Sequence, residues 1–135
     1  MDIKDIKLES DILVYLGGRL ENVCELFNRI FGTKNIKFYG TEFDIPKYYG
    51  NRRIYGGGRV DMMFCNNKMD IPVELKYDAN ANAYWQIRNY VDMIKERTTQ
   101  EVNGILLCKH ATKSLKELKI DDDIAIIQLD PWKVW

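Results

Sequence analysis

The hydrophobic pattern of this chain alternates between strand-like and helix-like stretches. Five short apolar runs, bounded by polar or turn-forming residues, have the length and composition of β-strands. We expect these runs to form one sheet. They are Ile36–Tyr39, which extends toward Ile45, then Met62–Cys65, Ile71–Leu75, Val102–Cys108 and Ile124–Leu129.

Helical spacing of apolar residues appears between the predicted strands. A first helix is predicted over about Ser10–Phe31, where Gly17-Gly18 can break it and Gly32 can end it. Lys113–Lys119 predicts a short last helix. The order α, β, β, β, α, β, α, β predicts one α/β domain over residues 1–135, with a central mixed β-sheet flanked by helices. A doubly wound nucleotide-binding fold is the alternative, although Gly56–Gly58 precedes a strand rather than a helix. The middle helix has its apolar face at Ala83, Ile87, Tyr90, Val91 and Ile94.

The second and third predicted strands bring two acids together. Asparagine tolerates positive φ angles, so Asn66-Asn67 predicts a two-residue hairpin turn that pairs Asp61 with Pro72. Side chains alternate along a strand, so Asp61, Glu74 and Lys76 share one face. In this register the two acids are diagonal neighbours, about 7–8 Å apart at the backbone. Both are expected to be partly exposed.

Two carboxylates and a lysine in this arrangement predict a site for Mg²⁺ or Mn²⁺. Mg²⁺ prefers oxygen ligands, and Asp61, Glu74 and the backbone carbonyl of Leu75 are the candidates. Such an ion lowers the pKa of water and stabilises charge on a phosphate, while Lys76 can orient the attacking water. The triplet alone is weak evidence, because other acid-x-Lys triplets occur at Asp2–Lys4, Asp5–Lys7 and Glu117–Lys119.

The helix after this strand carries a polar pair. Gln86 and Tyr90 lie four residues apart, one above the other on a helix face. Asp78, Asn80 or Asn82 can cap the start of the helix. The pair is predicted to lie beside the acids; a core tyrosine and a helix-border glutamine are the alternative interpretation.

Three motifs in this order resemble the PD-(D/E)xK nuclease superfamily, and more closely its RecB-like and NucS-like members. They are G-x-x-D at Gly58–Asp61, E-x-K at Glu74–Lys76 and Q-x-x-x-Y at Gln86–Tyr90. The resemblance implies a restriction-endonuclease-like core and a metal-dependent deoxyribonuclease. It also implies that the acids bind the metal and the lysine assists the nucleophile.

The resemblance further implies a glutamate from the first helix. Glu9 and Glu21 are both candidates, and Glu9, just before the apolar run Ile12–Leu16, is preferred. Two other functions remain open: a non-cleaving DNA-binding or accessory module on the same fold, and a dimeric branched-DNA resolvase. The three cysteines cannot form the four-cysteine iron–sulfur cluster of some RecB-like nucleases.

The segment Pro46–Val60, which overlaps the first motif, is basic and aromatic. Arginine can bind phosphates and tyrosine can stack on bases, so this segment is predicted to bind DNA. A solvated glycine-rich loop is the alternative. The acidic run Asp121–Asp123 is expected to form a turn away from the DNA. The basic residues are Lys47, Arg52, Arg53 and Arg59, interleaved with Tyr48, Tyr49 and Tyr55.

Composition narrows the class of protein. The 135 residues, 46% of them hydrophobic, suit one globular domain. A net charge of zero argues against strong indiscriminate nucleic-acid binding. Three widely spaced cysteines and an N-terminus without signal-peptide layout favour a cytoplasmic location. The single histidine, His110, is expected at the surface.

The C-terminal segment Leu129–Trp135 contains Trp132 and Trp135. Tryptophans are costly to leave in water and are enriched at interfaces. This segment is therefore expected either to fold back on its own core or to dock on a second copy. A homodimer is slightly preferred, because one small neutral domain offers a duplex little to bind.

Overall fold

A computed structural model describes residues 1–45 and 58–135 of the chain. Among these residues, no helix combines the length and apolar character needed to cross a bilayer. The described helices are a 3₁₀ turn at Ile3–Asp5, α1 (Glu9–Gly17), α2 (Leu20–Phe31), α3 (Ala81–Lys95) and α4 (Lys113–Lys116). The described strands are β1 (Lys37–Asp44), β2 (Arg59–Cys65), β3 (Met69–Ala79), β4 (Glu101–Val102), β5 (Gly104–Ala111), β6 (Ile124–Leu129) and β7 (Trp132–Val134).

One mixed sheet organises the described residues. Its strand order is β1-β2-β3-β5-β6-β7, and the short β4 pairs with β3. The pairs β1–β2, β2–β3 and β6–β7 are antiparallel, whereas β3–β4, β3–β5 and β5–β6 are parallel. Helix α3 makes the crossover from β3 to the parallel β5. The predicted α/β fold with a central mixed sheet and flanking helices is confirmed.

Two apolar layers cover the two faces of the sheet. In β5, Leu106 and Cys108 pack in the layer that contains α3, while Ile105 and Leu107 pack in the layer that contains α1 and α2. Successive side chains of a strand point to opposite faces, so a strand buried on both faces reads as a continuous apolar run. This is why β5 and β6 were recognisable in the sequence.

The predicted helix signals have the expected positions. Residues Gly18 and Arg19 separate α1 from α2, and Gly32 ends α2 in the left-handed conformation with φ 61°. Of the three candidate caps for α3, Asn80 is the one used: its side chain accepts the N–H of Ala83 at 3.1 Å. The five residues of the predicted apolar face of α3 are all buried. The short last helix ends at Lys116, three residues earlier than predicted.

The turn between β2 and β3 is longer than predicted. The side-chain oxygen of Asn66 accepts the N–H groups of Lys68 and Met69, both at 2.8 Å. The N–H of Asn66 also donates to the carbonyl of Met69 at 3.0 Å. An asparagine side chain that bonds its own backbone in this way stabilises a wider turn.

This turn sets a different register from the predicted one. Cys65 pairs with Asp70 rather than with Lys68, and the β2–β3 ladder continues in that register. The predicted register was wrong by two positions, which leaves the alternation of faces unchanged. One pair beyond the ladder, the same register places Asp61 opposite Glu74 instead of diagonal to it.

The C-terminal segment folds back as the edge strand β7. The N–H of Ile126 donates to the carbonyl of Trp135 at 2.6 Å, and the N–H of Trp135 donates back at 2.9 Å. Trp135 packs against the apolar layer of α3, whereas Trp132 is 55% exposed. Strand β7 was not predicted, because three residues after a proline carry no periodic signal. Docking on a second copy stays a prediction.

Two polar features differ from expectation. His110 lies within β5 and is half-buried, with Nδ1 3.0 Å from the carbonyl oxygen of Asp130. The run Asp121–Asp123 does form a turn, but two of its acids are bound. Arg88 donates to Asp121 at 3.2 Å and to both carboxylate oxygens of Asp123 at 2.5 and 2.7 Å. The Arg88 guanidinium holds the pKa of Asp123 well below its ordinary range. The turn is therefore fastened to α3.

Candidate metal centre

Three carboxylates meet where α1, β2 and β3 come together. One oxygen each from Glu9, Asp61 and Glu74 lies within 4.8 Å of the other two. Glu9 is the first residue of α1, and the two other acids come from the paired strands. Of the two glutamates considered for the first helix, Glu9 belongs to this cluster, while Glu21 is an exposed residue of α2.

The Asp61 carboxylate is held by the neighbouring strand. Its Oδ2 atom accepts the backbone N–H of Leu75 at 2.8 Å. A hydrogen bond to a charged acceptor is stronger than one between neutral groups, so it orients the carboxylate well. The bond also ties Asp61 to the residue directly after Glu74. The carbonyl of Leu75 as a further metal ligand stays a prediction.

Glu74 is more enclosed than the sequence suggested. It is 3% exposed, and its Oε2 atom has no hydrogen-bond partner among the described residues. The expectation that both acids are partly exposed is thus wrong for Glu74, since β3 is covered on both faces; Asp61 is half-buried. Burial, together with the charge of Asp61, raises the pKa of Glu74 to about 8, and Lys76 opposes this rise.

Lys76 supplies positive charge at the edge of the cluster. Its Nζ atom lies 3.6 Å from Oε1 of Glu74, and its side chain is 29% exposed. Residues two apart on a strand point to the same side, as predicted. The ammonium group of Lys76 therefore lies near the acids, and part of its side chain is open to solvent, from which a substrate would approach.

The donor set suits a hard divalent cation. All three side chains offer oxygen, the ligand that Mg²⁺ and Mn²⁺ prefer, whereas zinc sites are rich in cysteine and histidine. A buried carboxylate oxygen without a donor, such as Oε2 of Glu74, requires a proton or a cation. The residues present therefore fit the ion that the sequence predicted.

A shallow depression of about 230 Å³ gives access to the cluster. Two residues that line it, Ser10 and Glu42, were not identified from the sequence. Glu42 has a positive φ of 49° and follows a register shift in β1. No pattern in the sequence signals such an irregularity, so Glu42 could be found only from the structure.

Gln86 and Tyr90 are hydrogen-bonded to each other, and Tyr90 packs against Gly58, the first residue of the G-x-x-D motif. Nε2 of Gln86 donates to the hydroxyl of Tyr90 at 3.1 Å. A Cβ atom added to Gly58 would lie 2.7 Å from that hydroxyl, so the tyrosine requires glycine at this position. Among the described residues, neither side chain hydrogen-bonds to the three acids. Their contact with the site runs through the backbone at Gly58, three residues before Asp61.

The predicted DNA-binding residues are only partly described. Arg59 is exposed at the start of β2, with Nη1 3.8 Å from Oε2 of Glu42. Because Glu42 lines the depression, Arg59 lies close to the acidic cluster. Lys47, Arg52 and Arg53 lie outside the described residues.

Glu74 should make the stability of the metal-free protein depend on pH. Its pKa is about 8 in the fold and near 4.5 when exposed, so its favourable contribution is complete below pH 4.5 and is lost as the pH rises to about 8. As the pH rises through this range, we expect the free energy of unfolding of Glu74→Gln to increase by on the order of 3 kcal/mol relative to that of the wild type. Urea unfolding in EDTA at five pH values tests this. Parallel pH curves for the two proteins would show that Glu74 titrates normally.

Gln86→Ala should reduce the DNA cleavage that the sequence predicts more than it reduces stability. The substitution removes the hydrogen bond to Tyr90, which costs roughly 1 kcal/mol, but it loosens the backbone at Gly58 next to the cluster. We expect a turnover about tenfold lower, measured with saturating DNA, and a melting temperature within a few degrees. A large drop in melting temperature with unchanged turnover would make Gln86 a structural residue.

Comparison with known proteins points to one family. The model of the family described as the endonuclease NucS C-terminal domain matches residues 51–134, more than half of the chain. A solved structure, described as the crystal structure of a repair endonuclease from Pyrococcus abyssi, matches with a TM-score of 0.51 and 20% identity. The match covers 83% of this chain and 46% of that chain, so this chain spans less than half of that protein. At this identity the likeness shows a common fold.

No curated protein sequence matches the chain. The chain belongs to the family of NucS endonuclease C-terminal domains.

Proposed function

We propose that this chain is a metal-dependent deoxyribonuclease domain of the PD-(D/E)xK type, which hydrolyses phosphodiester bonds of DNA. The observation that carries the proposal is the convergence of Glu9, Asp61 and Glu74, with Lys76 3.6 Å from Glu74. Membership of an endonuclease domain family supports the same reaction class. The site residues come from α1, β2 and β3, whose relative positions are set by the core.

Each residue of the cluster has a distinct role in this proposal. Glu9, Asp61 and Glu74 hold Mg²⁺ or Mn²⁺, together with the carbonyl of Leu75. When bound, the ion supplies positive charge against the scissile phosphate and lowers the pKa of water. The Leu75 N–H keeps the Asp61 carboxylate in place. Lys76 donates a hydrogen bond to the attacking water or to a phosphate oxygen, which lowers the cost of the developing negative charge.

DNA is the proposed partner. Exposed Arg59 lies near the depression, and Lys47, Arg52 and Arg53 precede it in the sequence. Basic residues hold the DNA backbone by neutralising phosphates, which releases counterions. This arrangement compensates locally for a net charge of zero.

Cleavage of a DNA panel tests the proposed function. Linear, circular, single-stranded and branched DNA are incubated with Mg²⁺ or Mn²⁺, with EDTA as the negative control. Lys76→Ala should lower the rate by about 100-fold or more. The chain offers a matched control, since Glu117–Lys119 has the same Glu-Leu-Lys sequence directly after α4, with both charged side chains exposed. Lys119→Ala should cut as the wild type does. Metal-independent activity, or no difference between the two variants, would contradict the proposal.

A DNA-binding module that does not cut is the alternative. The chain spans only 46% of the repair endonuclease structure that it matches, and its net charge is zero. The same panel separates the two functions. Tight binding of any DNA, without cleavage in either metal, would favour the binding module. Cleavage confined to branched DNA by a dimer would favour a resolvase.

A further inference from the structure

The proposed mechanism leaves a buried lysine unused. Lys109 of β5 is 6% exposed, and its Nζ atom donates to the backbone carbonyl of Ile6 at 2.7 Å. Nζ also lies 5.5 Å from the ring centroid of Tyr77. Among the described residues, no carboxylate lies within ion-pair distance of this lysine. Burying an ammonium group costs free energy, and a single hydrogen bond to a neutral carbonyl does not offset that cost. A contribution to stability therefore does not explain a lysine at this position.

The carbonyl that Lys109 holds belongs to the segment leading to Glu9. Ile6 is fully buried in the layer of α1 and α2, three residues before Glu9. At the other end of the segment, Oδ2 of Asp11 accepts the N–H groups of Lys7 and Leu8, at 2.8 and 2.9 Å. The backbone before Glu9 is therefore fixed at both ends.

This fixation matters because Glu9 is exposed. Unlike Glu74, it is not enclosed by a core that would dictate where its carboxylate lies. Its contribution to the cluster depends on where α1 begins, and that start is set by the contacts of Ile6 and Asp11. A methionine at position 109 could fill the space of the lysine stem but could not hold the Ile6 carbonyl.

We infer that Lys109 is a positioning residue, which fixes the start of α1 so that Glu9 meets Asp61 and Glu74. The inference rests on the proposed metal site. Loss of the contact should weaken metal binding through Glu9 and leave the other two acids in place. Residues that orient metal ligands typically change metal affinity by about 10–100-fold when they are substituted.

Mn²⁺ binding by the whole protein, measured by calorimetry without DNA, tests this role. We expect Lys109→Met to weaken Mn²⁺ binding about tenfold, and Glu9→Gln to weaken it at least as much. The double variant should bind no more weakly than Glu9→Gln alone, because both changes remove the same ligand. Lys116→Met, a change of an exposed lysine on α4, should bind as the wild type does.

A second variant guards against a folding defect in Lys109→Met. Asp11→Ala removes the side-chain oxygen that holds the N–H groups of Lys7 and Leu8, and it should give the same loss of Mn²⁺ affinity with the same dependence on Glu9. Unchanged affinity in Lys109→Met, or full additivity with Glu9→Gln, would overturn the positioning role even while wild-type cleavage stands. A lower melting temperature with wild-type affinity would assign Lys109 to stability alone. Wild-type protein that binds no Mn²⁺ would overturn the proposed function itself, and this inference with it.

Discussion

Asp61→Asn and Glu74→Gln are each expected to reduce DNA cleavage at least about 1,000-fold while the fold stays intact. Both changes keep the size of the side chain and remove the charge that a divalent ion requires. The amide that replaces the Asp61 carboxylate retains an oxygen, which can still accept the N–H of Leu75. Glu74→Gln replaces a group that resists ionisation in the fold with a neutral amide. The melting temperature in EDTA should therefore equal that of the wild type at low pH and exceed it as the pH rises toward 8. Cleavage rates at saturating DNA and circular dichroism measure the two effects.

The exposed Glu-Leu-Lys triplet at the end of α4 supplies the matched control. Glu117→Gln removes a carboxylate of the same sequence context, and it should retain wild-type activity. If Asp61→Asn or Glu74→Gln cuts as fast as the wild type, and the wild type is inhibited by EDTA, the acidic cluster is not the active site.

Deletion of Pro131–Trp135 is expected to leave an insoluble or largely unfolded chain. It removes β7, exposes the edge of β6, and takes away the packing of Trp135 against the layer of α3. Trp135→Ala alone should cost roughly 2–3 kcal/mol, because its ring is only partly buried. Trp132→Ala should cost less than about 0.5 kcal/mol, because that ring is mostly exposed. Urea unfolding of the two single variants compares the tryptophans directly.

The same variants test the proposed homodimer. Light scattering of the wild type at micromolar concentration should report a dimer, and Trp132→Ala should shift it toward monomer if the exposed ring is the contact. A monomeric wild type would remove the dimer proposal. A soluble deletion variant with wild-type stability would show that β7 contributes little to the fold.

Local signals in the sequence were sufficient for most of the architecture. Strands buried on both faces, such as β5 and β6, appear as apolar runs, and the buried face of α3 follows its helical spacing. Gly32 ended a helix as predicted, because the left-handed conformation with φ 61° favours glycine. These features depend on residues close together in the chain, which is why the sequence could predict them.

In the site, too, some features follow from residues close together in the chain and others do not. That Glu74 and Lys76 share a face follows from strand alternation alone, and a two-residue error in hairpin register did not change it. The register itself depended on the side-chain hydrogen bonds of Asn66, which no periodicity indicates.

Apart from β7, the types of the main elements, the α/β class and the order of the three motifs follow from the sequence. The packed fold was needed to show which glutamate joins the acids, how deeply Glu74 is buried and where the C-terminal tryptophans lie. Each of these depends on contacts between residues far apart in the chain: α1 against the β2–β3 pair, both apolar layers against β3, and β7 against β6. Local propensity carries no information about such contacts, because they form only when the whole core packs.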